Sequence, residues 1–122
     1  MITQGPSNTV ADIGKQVKLN CVANETIDYW FLSKNGESGS EEAIVNPGCS
    51  IVNNFKDHYA VESLGQGTTC NLVVFDITLE QAGVYRCSEA QHDLFSILTV
   101  IGMSHSFLNI CSLITFARTQ EK

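Results

Sequence analysis

The stretch from residue 79 to residue 87 constrains the fold of this chain more than any other. Gly83, Tyr85 and Cys87 stand at every second position in it, so they lie on one side of an extended strand, which we predict at residues 83–90. A Gly, a Tyr and a Cys at this spacing are the sequence form of a tyrosine corner, which opens a strand in antiparallel β-sandwiches. The stretch therefore predicts a strand that turns Tyr85 and Cys87 inward.

Other segments alternate in the same way. Val17, Leu19 and Cys21 share one side of a predicted strand at residues 16–23, and Lys18 and Asn20 take the other side. Further strands are predicted every 8–12 residues between turns, which favours a two-sheet sandwich. They lie at residues 9–12 (an edge strand after a break at Gly5-Pro6), 28–34, 43–46, 50–54, 58–63, 69–77 and 94–101.

Composition excludes several classes of function. The net charge is −6 and no basic cluster occurs, so neither nucleic acid nor an anionic membrane is an expected partner. No apolar run reaches the roughly 18–20 residues of a membrane span. None of His58, His92 and His105 falls beside a Cys at zinc-ligand spacing, so we predict neither a metal nor a cofactor.

Five Cys in 122 residues fit an oxidising compartment. Because five is odd, at least one thiol is free or pairs with another chain. The first six residues lack the charged start and apolar run of a signal peptide, so we interpret the sequence as a mature domain that enters the secretory route with a leader.

No catalytic motif is present. The sequence has no Gly-x-Ser-x-Gly, phosphate-binding loop or His-Glu-x-x-His. Glu41 and Glu42 are adjacent, but they fall in a loop that we expect to be solvated. We therefore predict that the chain is not an enzyme.

Cys21, Trp30 and Cys87, together with the tyrosine corner at Tyr85, resemble the variable-type (V-set) domains of the immunoglobulin superfamily. The resemblance covers roughly residues 1–101 and leaves residues 102–122 as a tail, which is apolar at 106–117. It implies an all-β, immunoglobulin-like two-sheet antiparallel sandwich of variable type. It implies a bridge between Cys21 and Cys87, which are 66 residues apart, and an extracellular location, secreted or in the ectodomain of a membrane protein. The core residues that it implies are Trp30, Tyr85, Leu72 and Leu19.

The remaining Cys residues allow two arrangements. In such a fold the residues before the strand predicted at 50–54 and at the start of the strand predicted at 69–77 lie near each other. The resemblance therefore implies a second bridge between Cys49 and Cys70; two separate buried thiols are the alternative. Cys111 is then unpaired or bonded to another chain. Its apolar surroundings at residues 106–117 allow a disordered tail, an added edge strand, a stalk or a non-native stretch, and we favour docking on a partner chain.

Two departures from the resemblance affect function. Gln81 stands where such domains have an Asp that pairs with an Arg at the start of the strand predicted here at residues 58–63, and His58 or Lys56 holds the partner position. We expect a neutral hydrogen bond there or none. The Phe-Gly-x-Gly bulge of rearranging receptors is absent from residues 92–95, so antibody-like pairing is not expected and a germline-encoded receptor is favoured.

One sheet face is predicted to bind a partner. With Trp30, Cys87 and Leu98 inward, strands C (28–34), F (83–90) and G (94–101) turn aromatic, apolar and Arg side chains outward, which is the composition of interface hot spots. In V-set domains this face commonly mediates homophilic or receptor–ligand contact. The alternative is scattered surface apolar residues. We call the predicted binding residues the C–F–G face: Tyr29, Phe31, Val84, Arg86, Phe95 and Ile97.

The loops favour the same face. Few residues separate Cys21 from Trp30 and Cys87 from strand G, so a large loop-borne binding site is not expected. Asn24-Glu25-Thr26 is an acceptor sequence for N-glycosylation in the loop between strands B and C. We therefore predict an extracellular recognition, adhesion or immune-receptor domain that binds a protein ligand, or itself as a homodimer, through the C–F–G face. The alternatives are a variable region that reads diverse ligands through its loops and a purely structural module.

Overall fold

The computed structural model describes residues 1–34 and 41–102, and eleven β-strands lie in this part of the chain. Three short 3₁₀ helices at Asn53–Phe55, Gly65–Gly67 and Leu79–Gln81 lie between them. The predicted tail, with Cys111 and the apolar residues 106–117, lies outside the described residues. The strands are β1 (Ile2–Gln4), β2 (Thr9–Asp12), β3 (Val17–Leu19), β4 (Val22–Ala23), β5 (Tyr29–Lys34), β6 (Glu42–Asn46), β7 (Ser50–Ile51), β8 (Tyr59–Leu64), β9 (Thr69–Val74), β10 (Gly83–Glu89) and β11 (His92–Ile101).

The strands form two sheets. One has the order β1-β4-β9-β3, with β8 also paired to β9, and the other has the order β2-β11-β10-β5-β6-β7. The predicted antiparallel sandwich is confirmed, with one parallel pair between β2 and β11. The chain passes from the first sheet to the second at Gly5-Pro6, where a Cβ on Gly5 would lie 2.3 Å from Leu94 Cδ1. Proline is tolerated there because an edge need not donate to a neighbour.

Several strand ends differ from the prediction. The strand predicted at residues 69–77 ends at Val74, because Asp76 adopts a left-handed backbone conformation (φ 48°) that turns the chain. The strand predicted at residues 50–54 is only Ser50–Ile51 and is followed by a 3₁₀ turn. Strand β11 begins at His92, two residues earlier than predicted, and pairs with β10 without a register shift. A bulge in β11 is therefore absent, and a two-residue turn joins the strands.

The core lies between the sheets around two disulfides. Cys21 and Cys87 are bonded with their Cα atoms 6.5 Å apart, and Trp30 stands opposite Cys87 in the β5–β10 register. The Trp30 indole is fully buried and donates its Nε1–H to the backbone oxygen of Cys70 at 2.8 Å. Leu19, Leu72 and Tyr85 are buried beside it.

The second disulfide joins Cys49 to Cys70 with a Cα separation of 5.7 Å. Cys49 follows Gly48 in the turn between β6 and β7, and both residues have positive φ values. Cys70 lies in β9 of the other sheet. The bond therefore fastens the outer strands β6 and β7 to the opposite sheet, and both of its residues are buried.

The tyrosine corner closes one end of the sandwich. The Tyr85 hydroxyl donates to the backbone oxygen of Gln81 at 2.5 Å, and the Tyr59 hydroxyl lies 2.8 Å from the Tyr85 hydroxyl. Burial raises the pKa of Tyr59 to about 12 and raises that of Tyr85 as well, so both hydroxyls keep their protons at physiological pH. Gly83 opens the strand at a φ of 154°, where a Cβ would lie 2.6 Å from the Ser33 oxygen.

The Gln81 side chain bonds within its own turn and not to His58 or Lys56, the partner positions expected from the sequence. The Gln81 Oε1 atom accepts from the backbone N–H of Thr78 at 2.7 Å and from its hydroxyl at 2.8 Å, which caps the 3₁₀ turn before β10. The His58 ring instead places Nδ1 3.2 Å from the Phe75 oxygen. Thus no ion pair joins the two positions, and the tyrosine hydroxyls connect β8 to β10 there.

Candidate protein-binding face

Three adjacent strands of the six-stranded sheet carry the C–F–G face. Strand β10 lies between β5 and β11, and its residues alternate strictly between buried and half-buried. Arg86 stands opposite Phe31 on one side and Phe95 on the other, and Val84 stands opposite Ile97. Because cross-strand partners point to the same side of a sheet, the six residues named from the sequence occupy one surface.

A cluster of two rings and one cation lies at the centre of this surface. The Tyr29 and Phe31 rings stack with centroids 5.1 Å apart. The Arg86 guanidinium carbon lies 4.2 Å from the Phe31 ring centroid, within the range of a cation–π contact. Arg86 is thus held over an aromatic surface, with its side chain only 20% exposed.

Two carboxylates fix the orientation of Arg86. Its Nε and Nη2 atoms donate to the two oxygens of Glu41 at 2.8 Å each, and Nη1 donates to Asp93 at 3.1 Å. This paired geometry is the stronger form of an Arg–carboxylate contact. Glu41 lies in a loop and is exposed, as expected from the sequence, but the sequence analysis did not predict that Arg86 binds it. Asp93 was missed as well, although it follows β10 by only a short hairpin.

The pair shifts both ionisation equilibria. Hydrogen bonds from Arg86 hold the pKa of Glu41 below its ordinary value of 4.5, although partial burial acts in the opposite direction. The same hydrogen bonds raise the pKa of Arg86. Arg86 is therefore charged at physiological pH, and Glu41 and Asp93 of the same chain neutralise its charge.

Glu41 is expected to titrate below pH 4.5 in a carbon-detected NMR titration of the side-chain carboxyl. Because its pKa is lower in the folded than in the unfolded state, the pair stabilises the fold above the unfolded pKa, and this contribution disappears as the pH falls through the folded pKa. Arg86→Gln should return Glu41 to its ordinary range. A Glu41 pKa that is the same in both proteins would contradict the pairing.

Apolar side chains extend the surface beyond the cluster. Phe95 is 58% exposed and Ile97 is 49% exposed. Val10 in β2 stands opposite Thr99, and Ile101 ends β11 on the same side as Ile97. Both are exposed apolar residues. The sequence analysis missed them, although the alternation that placed Ile97 outward also places Ile101 outward.

A cleft of about 450 Å³ lies at the end of the sandwich where the short loops meet. Its walls are polar and include the acceptor sequence at Asn24. No group of three or more His, Cys, Asp or Glu side chains that could hold a metal ion occurs in residues 1–34 and 41–102. The residues that line the cleft are Asn24, Glu25, Thr26, Asp28, Gly65, Gln66, Thr68, Glu89 and Ala90.

The arrangement defines a class of fold. Strands β6 and β7 extend the sheet beyond β5, and this extension distinguishes variable-type from constant-type immunoglobulin sandwiches. The buried disulfide between the sheets, with Trp30 opposite one of its Cys residues, belongs to the same architecture. The chain therefore has the immunoglobulin-like fold of a variable-type domain.

Comparison with known proteins agrees with this fold. The structure is similar to the crystal structure of the first immunoglobulin domain of the mouse polymeric immunoglobulin receptor, with a TM-score of 0.64 and 16% sequence identity over 83% of this chain and 95% of that one. No protein-family model matches the chain.

The described residues contain no helix long and apolar enough to cross a membrane. The fold and its two disulfides fit an extracellular or secreted domain.

Proposed function

We propose that this chain is an extracellular recognition domain that binds a protein partner through the C–F–G face, in an adhesion or immune-receptor setting. The observation that carries the proposal is the Arg86 cluster, in which a cation is fixed over the Phe31 ring, itself stacked on Tyr29, on the outer side of a sheet. Outer faces of antiparallel sheets are ordinarily polar. Aromatic residues and Arg are the residues in which binding energy concentrates.

The cluster is suited to binding because it is already ordered. Arg is a flexible side chain, and fixing it at an interface costs about 0.5–1.5 kcal/mol. Here Glu41, Asp93 and Phe31 hold it before any partner arrives. Phe95 and Ile97 lie beside it with about half of their surface in water. Taking such a side chain from full exposure to full burial contributes about 1.5–3 kcal/mol, so burial of the exposed half of each would contribute about half of that.

A second copy of the chain is the first partner to test. The charge of Arg86 is compensated by Glu41 and Asp93 of the same chain, so two faces can meet without burying an unpaired cation. The exposed apolar residues around the cluster supply area of the kind that a twofold contact buries on both sides. A different protein ligand with an apolar centre fits the same surface.

Substitutions on the face test the proposal. Phe31→Asp and Ile97→Asp each place a charge where a partner would exclude water, so each should weaken association at least tenfold, about 1.4 kcal/mol. Leu64→Asp is the matched control, because Leu64 is 60% exposed on β8 of the opposite sheet. Sedimentation velocity over a range of concentrations measures self-association of the four proteins.

The outcomes separate the candidate functions. A wild-type protein that stays monomeric rules out the homophilic form, and binding of a tetramerised domain to a panel of receptor ectodomains then tests other partners with the same variants. Equal binding by all variants would place recognition elsewhere, on the loops. A domain that binds nothing in either assay would be a structural module.

A further inference from the structure

We propose that Asn24 carries an N-linked glycan that covers the loop end of the sandwich and leaves the C–F–G face open. Asn24-Glu25-Thr26 is the sole Asn-x-Ser/Thr triplet in the 122 residues. This inference needs the secretory route that the two disulfides favour. It does not depend on the identity of any binding partner.

The local structure allows the modification. The triplet forms the exposed bend after β4, and all three of its side chains lie at the surface. Its backbone is held from both sides, by a hydrogen bond from Asn24 N–H to the Met1 oxygen at 3.0 Å and one from Ile27 N–H to the Gly67 oxygen at 2.9 Å. Among the described residues, the Asn24 side-chain amide makes no hydrogen bond that a sugar would break. A glycan therefore needs no rearrangement of the fold.

The chemistry is an ordinary group transfer. A C–N bond forms between the Asn24 Nδ2 atom and the first sugar carbon of a lipid-pyrophosphate-linked oligosaccharide. The bond from that carbon to the pyrophosphate oxygen breaks, the lipid pyrophosphate leaves, and the amide loses one proton. The Thr26 hydroxyl belongs to the acceptor sequence that the transferase recognises.

The location of Asn24 determines which surfaces a glycan would cover. Asn24 and Thr26 line the cleft of about 450 Å³ together with Gln66 and Ala90 from the two neighbouring loops. Strand β4, which precedes Asn24, belongs to the five-stranded sheet, whereas the C–F–G face is on the outer side of the other sheet. A branched sugar at Asn24 therefore obstructs a ligand that approaches the loop tips and leaves the sheet face accessible.

The test is secretion of the chain behind a cleavable signal peptide from glycosylating eukaryotic cells. Intact-mass analysis should show one glycan, which peptide N-glycosidase removes while converting Asn24 to Asp. Asn24→Gln and Thr26→Ala should abolish it, and Thr26→Ser should retain it. Secreted, folded wild-type protein with an unmodified Asn24 would overturn the proposal.

A separate measurement tests where the glycan lies on the domain. Amide NMR spectra of the protein before and after enzymatic removal of the glycan should differ at residues 24–28, 65–68 and 89–91, with Phe31, Arg86 and Ile97 unchanged. Shifts on the C–F–G face would overturn the placement of the glycan at the loop end. Neither spectrum depends on self-association, so failure here is distinguishable from failure of the proposed binding function.

Discussion

Trp30→Ala is expected to lower the free energy of unfolding by about 3–5 kcal/mol, the range for removal of a fully buried large aromatic side chain. Trp30 has no exposed surface and lies in the core formed by the two sheets. Its loss also removes the hydrogen bond to the Cys70 oxygen, which leaves that oxygen without its Nε1 donor. Urea denaturation of the oxidised protein, followed by far-ultraviolet circular dichroism, measures the change.

The control is the next residue in the same strand. Phe31 points to the opposite side of β5 and is only half-buried, so Phe31→Ala should cost less than about 1.5 kcal/mol of stability. In a binding assay we expect the opposite order: Phe31→Ala should weaken association directly, because Phe31 belongs to the proposed C–F–G face, whereas Trp30→Ala changes no residue of that face. Similar losses of stability from both would contradict the inward and outward assignment on which the face depends.

That assignment was predictable because the side-chain period of a strand is two. Once Cys87 and Trp30 are placed inward, the directions of Tyr29, Phe31 and Arg86 follow from alternation alone. The short turn between β10 and β11 keeps their pairing in register, so Phe95 and Ile97 follow in the same way. The fold class and the composition of the face were therefore accessible from the sequence.

The partners of Arg86 were not accessible in the same way. Glu41 lies 45 residues from Arg86 in the chain, just before β6 and after a segment whose path no periodicity predicts. Glu41 itself lies outside the strands, where alternation gives no side-chain direction. The contact between Arg86 and Asp93 depends on the rotamer of Arg86, which the two carboxylates and Phe31 determine together. The sequence thus predicted which residues share the face and missed the ion pairs that order it.

The end of the sandwich near Gln81 gives a third case. The sequence indicated that no charged pair would form there, since Gln replaces Asp. It did not indicate that Tyr59 and Tyr85 would meet, because their hydroxyl contact joins strands of different sheets. Contacts between sheets depend on the packing angle and the spacing of the two layers, which a pattern along one strand does not contain.

The second large effect is expected from the disulfide between Cys49 and Cys70. Replacing both residues by Ala should lower the free energy of unfolding by about 3 kcal/mol, because the bond closes a loop of about 20 residues in the unfolded chain. Cys49→Ala alone is a poorer experiment, since it leaves a buried free thiol at Cys70 that can exchange with other Cys residues. The double variant keeps the Cys21–Cys87 disulfide, so the two sheets remain covalently joined beside Trp30.

The denaturant dependence separates two origins of this loss. If the bridge acts mainly by restricting the unfolded chain, its removal lets that chain expand, and the slope of the free energy against urea concentration should rise. If the bridge acts mainly through packing of the β6–β7 turn against β9, the midpoint falls and the slope is unchanged. We expect the steeper slope, because Cys49 lies at an exposed turn where Pro47, Gly48 and Ser50 are in water and only its own side chain enters the core. An unchanged midpoint would contradict both accounts and would show that β6 and β7 hold to the opposite sheet without the bond.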